Sequence, residues 1–272
     1  TRYALADELI QAGRYPEADL VLAGAEPYVV DRQAHEAQVL RLQADQIAMA
    51  ERQIAALDAE RAANPDADVE PSEQLKRALL PPYFVLARTG ALADPAPVIG
   101  LCEQLLATNP DDTTLRVDYV RFLTMMEQYE MALEQARAVY QIAPDDPQAV
   151  AMYAYAVARA GVNEPQTSQA LDNALATHRN DAGLLLAAAT YYTAQNDFAR
   201  AEQDLRQAEA TGTSPAEIAL RRDAMRQREE QLALEGARDL YRAGQYLQAA
   251  SAYDSYFLQT GETPRQAVRE QA

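Results

Sequence analysis

Apolar positions along this chain recur at helical spacing almost from end to end. Leu40, Ile47 and Ile54 are seven residues apart, and Ala50 and Leu57 follow the last two by three positions. That period predicts one long helix over 31–63, about 50 Å at about 1.5 Å per residue. Val98, Leu101, Cys102 and Leu105 form another apolar stripe, on a helix predicted over 95–108. The longest apolar run, Leu184–Thr190, falls far short of the ~20 residues a membrane helix needs.

The helices read as pairs. Three segments share a turn-plus-helix pattern: Gly13-Arg14-Tyr15-Pro16-Glu17-Ala18, Asn196-Asp197-Phe198-Ala199-Arg200-Ala201 and Gly244-Gln245-Tyr246-Leu247-Gln248-Ala249. Glu127-Gln128-Tyr129-Glu130-Met131-Ala132 is a fourth, with Glu where Gly usually sits. A first helix ends on a residue that tolerates left-handed backbone, an aromatic staples the turn, and a small Ala marks a close crossing. Ala132, Ala201 and Ala249 are therefore expected at helix–helix contacts, and Ala199 at the surface. Pro110 and Pro144 lie 34 residues apart and punctuate successive units.

These offsets resemble the tetratricopeptide repeat (TPR) family, whose unit is a 34-residue helix–turn–helix. The resemblance implies an all-α fold: a right-handed α-solenoid of helix–turn–helix repeats with irregular units and two long helices. A first pair spans 3–12 and 16–25, and the long helix follows. Next come an acidic loop over 64–71 and a short helix over 72–80, expected to stop at Pro81-Pro82. An irregular pair covers 83–108, with a widened turn over 90–96. Regular units then cover 111–144, 147–180 and 181–213. The last unit has a long first helix, 215–242, and a second, 246–260. Residues 265–272 read as the start of another unit. The domains expected are thus 1–80, a repeat-like pair with the long helix and an irregular linker, and 81–272, the regular array with a truncated final unit. The segments 64–71 and 90–96 are the expected hinges.

Composition narrows the function. The chain has 272 residues and a formal charge of −17. Nucleic acid needs a basic face, so it is not an expected partner, and anionic membranes are disfavoured for the same reason. The basic residues are arginines apart from Lys76, the usage of a GC-rich bacterial genome. The chain begins at Thr1 and shows no signal-like start, as expected of a piece of a longer protein. Cys102, the one cysteine, can form neither an intramolecular disulfide nor a multi-cysteine metal site, and is expected in the core.

No catalytic constellation is present: no phosphate loop, no G-x-S-x-G, no H-E-x-x-H. His35 and His178 are read as surface or helix-end residues. The pairs Asp111-Asp112 and Asp145-Asp146 are read as helix caps rather than ligands. Catalytic residues, metals and cofactors are accordingly all expected to be absent. Most of the tyrosines have packing roles: Tyr15, Tyr129 and Tyr246 as turn staples, and Tyr119, Tyr153, Tyr192 and Tyr253 between helices.

The TPR resemblance places a second set of residues on the concave face, namely Arg121, Tyr155, Arg159, Arg238, Tyr241 and Arg242. Arginine and tyrosine are common recognition anchors, so these six are the candidate partner-binding residues. Thr190 and Thr193 occupy the equivalent positions between them. The Lys/Asn/Arg clamp of chaperone-binding members is missing: its first two positions hold Val117 and Arg121, or Ala151 and Tyr155. No rubredoxin-like cysteine set is attached. The segment Arg226–Gln245 is also similar to the periplasmic repeat arrays of cellulose-export and Pel-type exopolysaccharide export subunits. That likeness implies a non-enzymatic scaffold in a periplasmic bacterial assembly. Its partner would be a protein or extended peptide, with polysaccharide as a second class and no direct insertion into the membrane. The alternatives are a cytoplasmic location, and a recruiting module of an enzyme whose catalytic domain lies elsewhere.

Overall fold

A computed structural model describes residues 2–24, 32–64 and 70–260. Those residues form thirteen α-helices and no strand. They are α1 (Arg2–Gln11), α2 (Tyr15–Ala23), α3 (Arg32–Ala63), α4 (Glu70–Arg88), α5 (Ala96–Thr108), α6 (Thr113–Met125), α7 (Tyr129–Ile142), α8 (Pro147–Ala160), α9 (Pro165–Thr177), α10 (Ala182–Ala194), α11 (Phe198–Ala210), α12 (Pro215–Arg242) and α13 (Tyr246–Thr260). The chain divides into two compact units, 1–128 and 129–272. The predicted start of a further unit at 265–272 lies outside the described residues, as does most of the loop over 64–71.

The turns explain why the pairs form. Gly13, Glu127, Asn196 and Gly244 all have positive φ, between 58° and 74°. At each of them the same two hydrogen bonds close the preceding helix. The left-handed residue's N–H bonds three residues back, as from Gly13 to Ile10 at 3.0 Å. The next N–H bonds five residues back: Arg14 to Leu9, Gln128 to Leu123 and Asp197 to Tyr192, all at 2.8 Å, and Gln245 to Leu240 at 3.0 Å. This Schellman closure satisfies carbonyls that a helix end would leave bare. Glycine adopts such a φ freely; Glu127 does so against its own Cβ, held by the same two bonds.

Five residues after each of these turns stands an alanine: Ala18, Ala132, Ala201 or Ala249. All four are buried, whereas Ala199 is exposed. The next helix start is fixed by carboxylates. The side chains of Asp112, Asp146, Asp181 and Asp197 accept from Leu115, Gln148, Leu184 and Arg200 N–H at 2.9, 3.0, 2.8 and 3.2 Å. The acidic pairs between units therefore contribute N-caps, as their position after a proline predicts.

In the first unit, Leu9, Ile10, Ala18, Leu22 and Leu42 form a core shared by α1, α2 and α3. The long helix α3 then packs along α4. Here the sequence reading needs correction. Pro81-Pro82 does not end a helix at Leu80: α4 starts at Glu70 and continues through both prolines to Arg88. Two prolines remove two intrahelical N–H donors and crowd the preceding turn. The α3–α4 pairing offsets that cost by burying Ser72, Leu79, Leu80 and Tyr83. The Ser72 hydroxyl donates to Asp58 at 3.0 Å, and the Tyr83 hydroxyl donates to Glu51. A division at 80/81 would therefore cut α4. Cys102 is fully buried beside Val98, and burial pushes its thiol up to about 12, so it stays protonated.

In the second unit, α8 packs on α7, α9 and α10; α10 packs on α11 and α12; α13 packs on α12. The first helices of successive hairpins, α8, α10 and α12, are thus neighbours in one layer. Leu185, Leu186, Ala189, Leu205, Ala208 and Ile218 form one core that joins α10, α11 and α12. Polar ties reinforce it. Arg222 of α12 reaches Glu202 and Glu209 of α11 at 3.2 and 3.0 Å, and Arg228 donates to Asn196 at 3.0 Å. Glu164 draws Arg137, Tyr153 and Gln166 together. Burial pushes the Glu164 carboxyl up, but the hydrogen bonds from Arg137 and Tyr153 outweigh it and hold the group below its ordinary range.

Candidate binding face

Five of the six predicted binding residues lie on the layer of first helices in the second unit. Tyr155 and Arg159 are four residues apart on α8, which places them on one face of that helix. Arg238, Tyr241 and Arg242 have the same relation on α12. Tyr155 and Arg238 are half-buried, while Arg159, Tyr241 and Arg242 are exposed. Thr190 and Thr193, both half-buried, stand between them on α10. Arg121 is in the first unit, on α6, exposed and 3.3 Å from Asp118. The structure thus keeps α8 and α12 on either side of α10, and Arg121 is described apart from them.

Several of these groups already have work inside the chain. The Arg159 guanidinium lies 4.8 Å above the Tyr129 ring and donates to the Tyr129 hydroxyl. It therefore clamps α8 to the aromatic that starts α7, worth about 0.5–1 kcal/mol at an exposed site. Arg242 pairs with Asp239 at 3.2 Å, with both side chains about three-quarters exposed. Such a pair adds little to stability and can exchange Asp239 for another carboxylate.

The tyrosines divide as the spacing predicts, with one exception. Tyr119, Tyr153 and Tyr192 are buried, and Tyr15, Tyr129 and Tyr253 are half-buried. Tyr246 was expected to staple the last turn but is 64% exposed. Its ring meets Tyr241 edge-on at 5.4 Å instead, so the last turn displays two adjoining aromatics.

Sequence reasoning missed a polar group elsewhere. Asp204 is buried on α11, in a cleft between α9 and α11. A carboxylate on a helix reads as a solvated position unless the neighbouring second helix is known, so no local signal marked it. His35 lies beside Tyr3, and His178 ends α9, as helix-end residues should. Among the described residues no group of three His, Cys, Asp or Glu could hold a metal ion, and no helix is long and apolar enough to cross a membrane.

No protein-family model and no curated protein matches the chain. Solved structures are similar at low identity. A tetratricopeptide repeat protein from Parabacteroides merdae is 12% identical over 99% of this chain and 95% of its own, with a TM-score of 0.46. The TPR2AB domain of yeast Sti1, solved in a complex with pHSP90, is 15% identical over 82% and 94%, with a TM-score of 0.33. The fold rests on this chain's own repeated Schellman turns, buried alanines and aspartate caps: it is an all-α array of tetratricopeptide-like helical hairpins.

Proposed function

We propose that this chain is a non-catalytic scaffold that holds a protein or extended-peptide partner against its first-helix layer. One observation carries the reading. Arg159, Tyr241 and Arg242 are exposed on α8 and α12, and Tyr155 and Arg238 half-buried beside them, in a chain whose net charge is −17. Arginine and tyrosine supply charge-assisted hydrogen bonds and rigid apolar area at little entropic cost, which suits an acidic or polar extended segment. The finer proposal is a role in bacterial exopolysaccharide export within the periplasm. Its support is the likeness of Arg226–Gln245 to the repeat arrays of export subunits and the 28-residue length of α12.

The test is a double charge reversal, Arg238→Glu with Arg242→Glu, compared with Arg61→Glu and Arg206→Glu, exposed arginines on α3 and α11. Tagged protein is used to capture partners separately from periplasmic and cytoplasmic fractions, with quantitative mass spectrometry. Losing one or two charged contacts should lower recovery of a true partner about tenfold or more, with melting temperature unchanged. Equal loss in the control pair would refute the face. Capture from the cytoplasmic fraction alone would refute the periplasmic proposal.

A further inference from the structure

Asp204 is the polar group the hairpin packing leaves unexplained. It is only 8% exposed, and its Oδ2 has no hydrogen-bond partner among the described residues. A buried carboxylate oxygen normally finds a donor, because leaving it bare forfeits its hydration. Asp204 belongs to the buried face of α11, with Ala201, Leu205 and Ala208. It lines a cleft of about 430 Å³ together with Asp172, Arg179, Tyr192, Arg200 and Gln207.

Two of the nearby cations, Arg200 and Arg222, have partners of their own. The Arg200 guanidinium lies 5.1 Å above the Tyr192 ring, donates to its hydroxyl at 3.1 Å, and sits 4.0 Å from Asp172 and 3.6 Å from Asp197. On α12, Arg222 is taken by Glu202 and Glu209. The Gln207 amide nitrogen donates to the Arg179 carbonyl, so its side-chain oxygen remains an acceptor. Burial pushes the Asp204 carboxyl up to about 6; Arg200 pulls it down, while Asp172 and Asp197 push it further up. Three carboxylates, Asp172, Asp197 and Asp204, thus outnumber Arg179 and Arg200 around the cleft.

We propose that the cleft between α9 and α11 is a second binding site, which takes a single cationic side chain from a basic segment of a partner protein, with Asp204 as the buried counter-ion. An ammonium or guanidinium supplies the donor that Oδ2 lacks, and the negative surroundings and the overall acidic charge favour its approach. The site shares no residue with the face on α8 and α12, so either can fail without the other. Because a cation needs the ionised carboxyl, binding is coupled to pH. The affinity is full above the raised Asp204 value and declines as pH falls through it.

Butylammonium and butylguanidinium chloride are the probes, titrated into the intact chain while the side-chain amides of Gln203 and Gln207, both lining the cleft, are followed by NMR. At about pH 8 these signals should shift saturably. At about pH 5, where roughly one carboxyl in ten is ionised, apparent affinity should fall about tenfold. Asp204→Asn should abolish the shifts, and Asp172→Asn should weaken binding several-fold. Asp145→Asn, on an exposed surface carboxylate, should leave it unchanged. Non-saturating shifts, unchanged binding in Asp204→Asn, or the same response to neutral methyl glucoside or to acetate would overturn the proposal.

Discussion

Helices α10 and α12 are both first helices of repeat hairpins, yet they spend their side chains differently. In thirteen residues α10 buries eight, including Leu184, Leu185, Ala188 and Tyr192. In twenty-eight residues α12 buries two, Ile218 and Ala237. The difference follows from neighbours. Helices α8, α9, α11 and α12 all pack on α10, so nearly every face of it must be apolar. Beyond its first turns, α12 mainly supports α13. There Leu247 is 90% exposed and Leu258 85%. A repeat motif therefore specifies a hairpin, but stability comes from how many hairpins press on it. The side chains that need not fill a core are those available for recognition.

Cavities separate α10 from α13 by the largest margin. Leu185→Ala should cost about 2–5 kcal/mol, because Leu185 is fully buried in the core shared by α10, α11 and α12. Leu247→Ala, the same chemical change on α13, should cost less than about 0.5 kcal/mol. Chemical denaturation of both variants decides it, and similar losses would contradict the contrast. Overpacking gives the next largest effect. Ala201→Leu should cost about 1–3 kcal/mol at the crossing of α10 and α11, and Ala199→Leu close to nothing.

Two carboxyls respond to pH in opposite directions. Glu164 is held below its ordinary value, so its contribution is present above the usual glutamate range and is lost as pH falls through the lowered value. Glu164→Gln should therefore destabilise by about 1–2 kcal/mol at neutral pH, and by progressively less in acid. Asp204 is raised from 3.8 to about 6, so ionising it opposes folding. That penalty begins near pH 4 and is complete above pH 6. Asp204→Asn should thus raise stability by up to about 3 kcal/mol at about pH 8, and by little at about pH 4. Melting temperatures across that range test both signs.

How much the sequence revealed depended on how local each determinant is. The left-handed residues at 13, 127, 196 and 244 and the caps at Asp112 and Asp146 are set within five residues, and the pattern of Gly, Asn, Ala and Asp exposes them directly. Even Glu127 could be placed, because the residues around it kept the register. Pro81-Pro82 misled because proline's local cost is visible in sequence, whereas the burial of Leu79, Leu80 and Tyr83 against α3 is not. The Arg159 clamp on Tyr129 spans thirty residues, and the Asp204 cleft needs α9 and α11 side by side; neither has a short-range signature. Tyr246 has the motif of a staple, but among the described residues it stays open beside Tyr241.

Native-state hydrogen exchange reads the stability of each helix in the second unit separately. If packing partners set that stability, the amides of α10 and α11 should exchange slowest, near the rate of global unfolding, and those of α13 fastest, with α12 protected mainly over its first turns around Ile218. Protection in α13 equal to that in α10 would contradict the account.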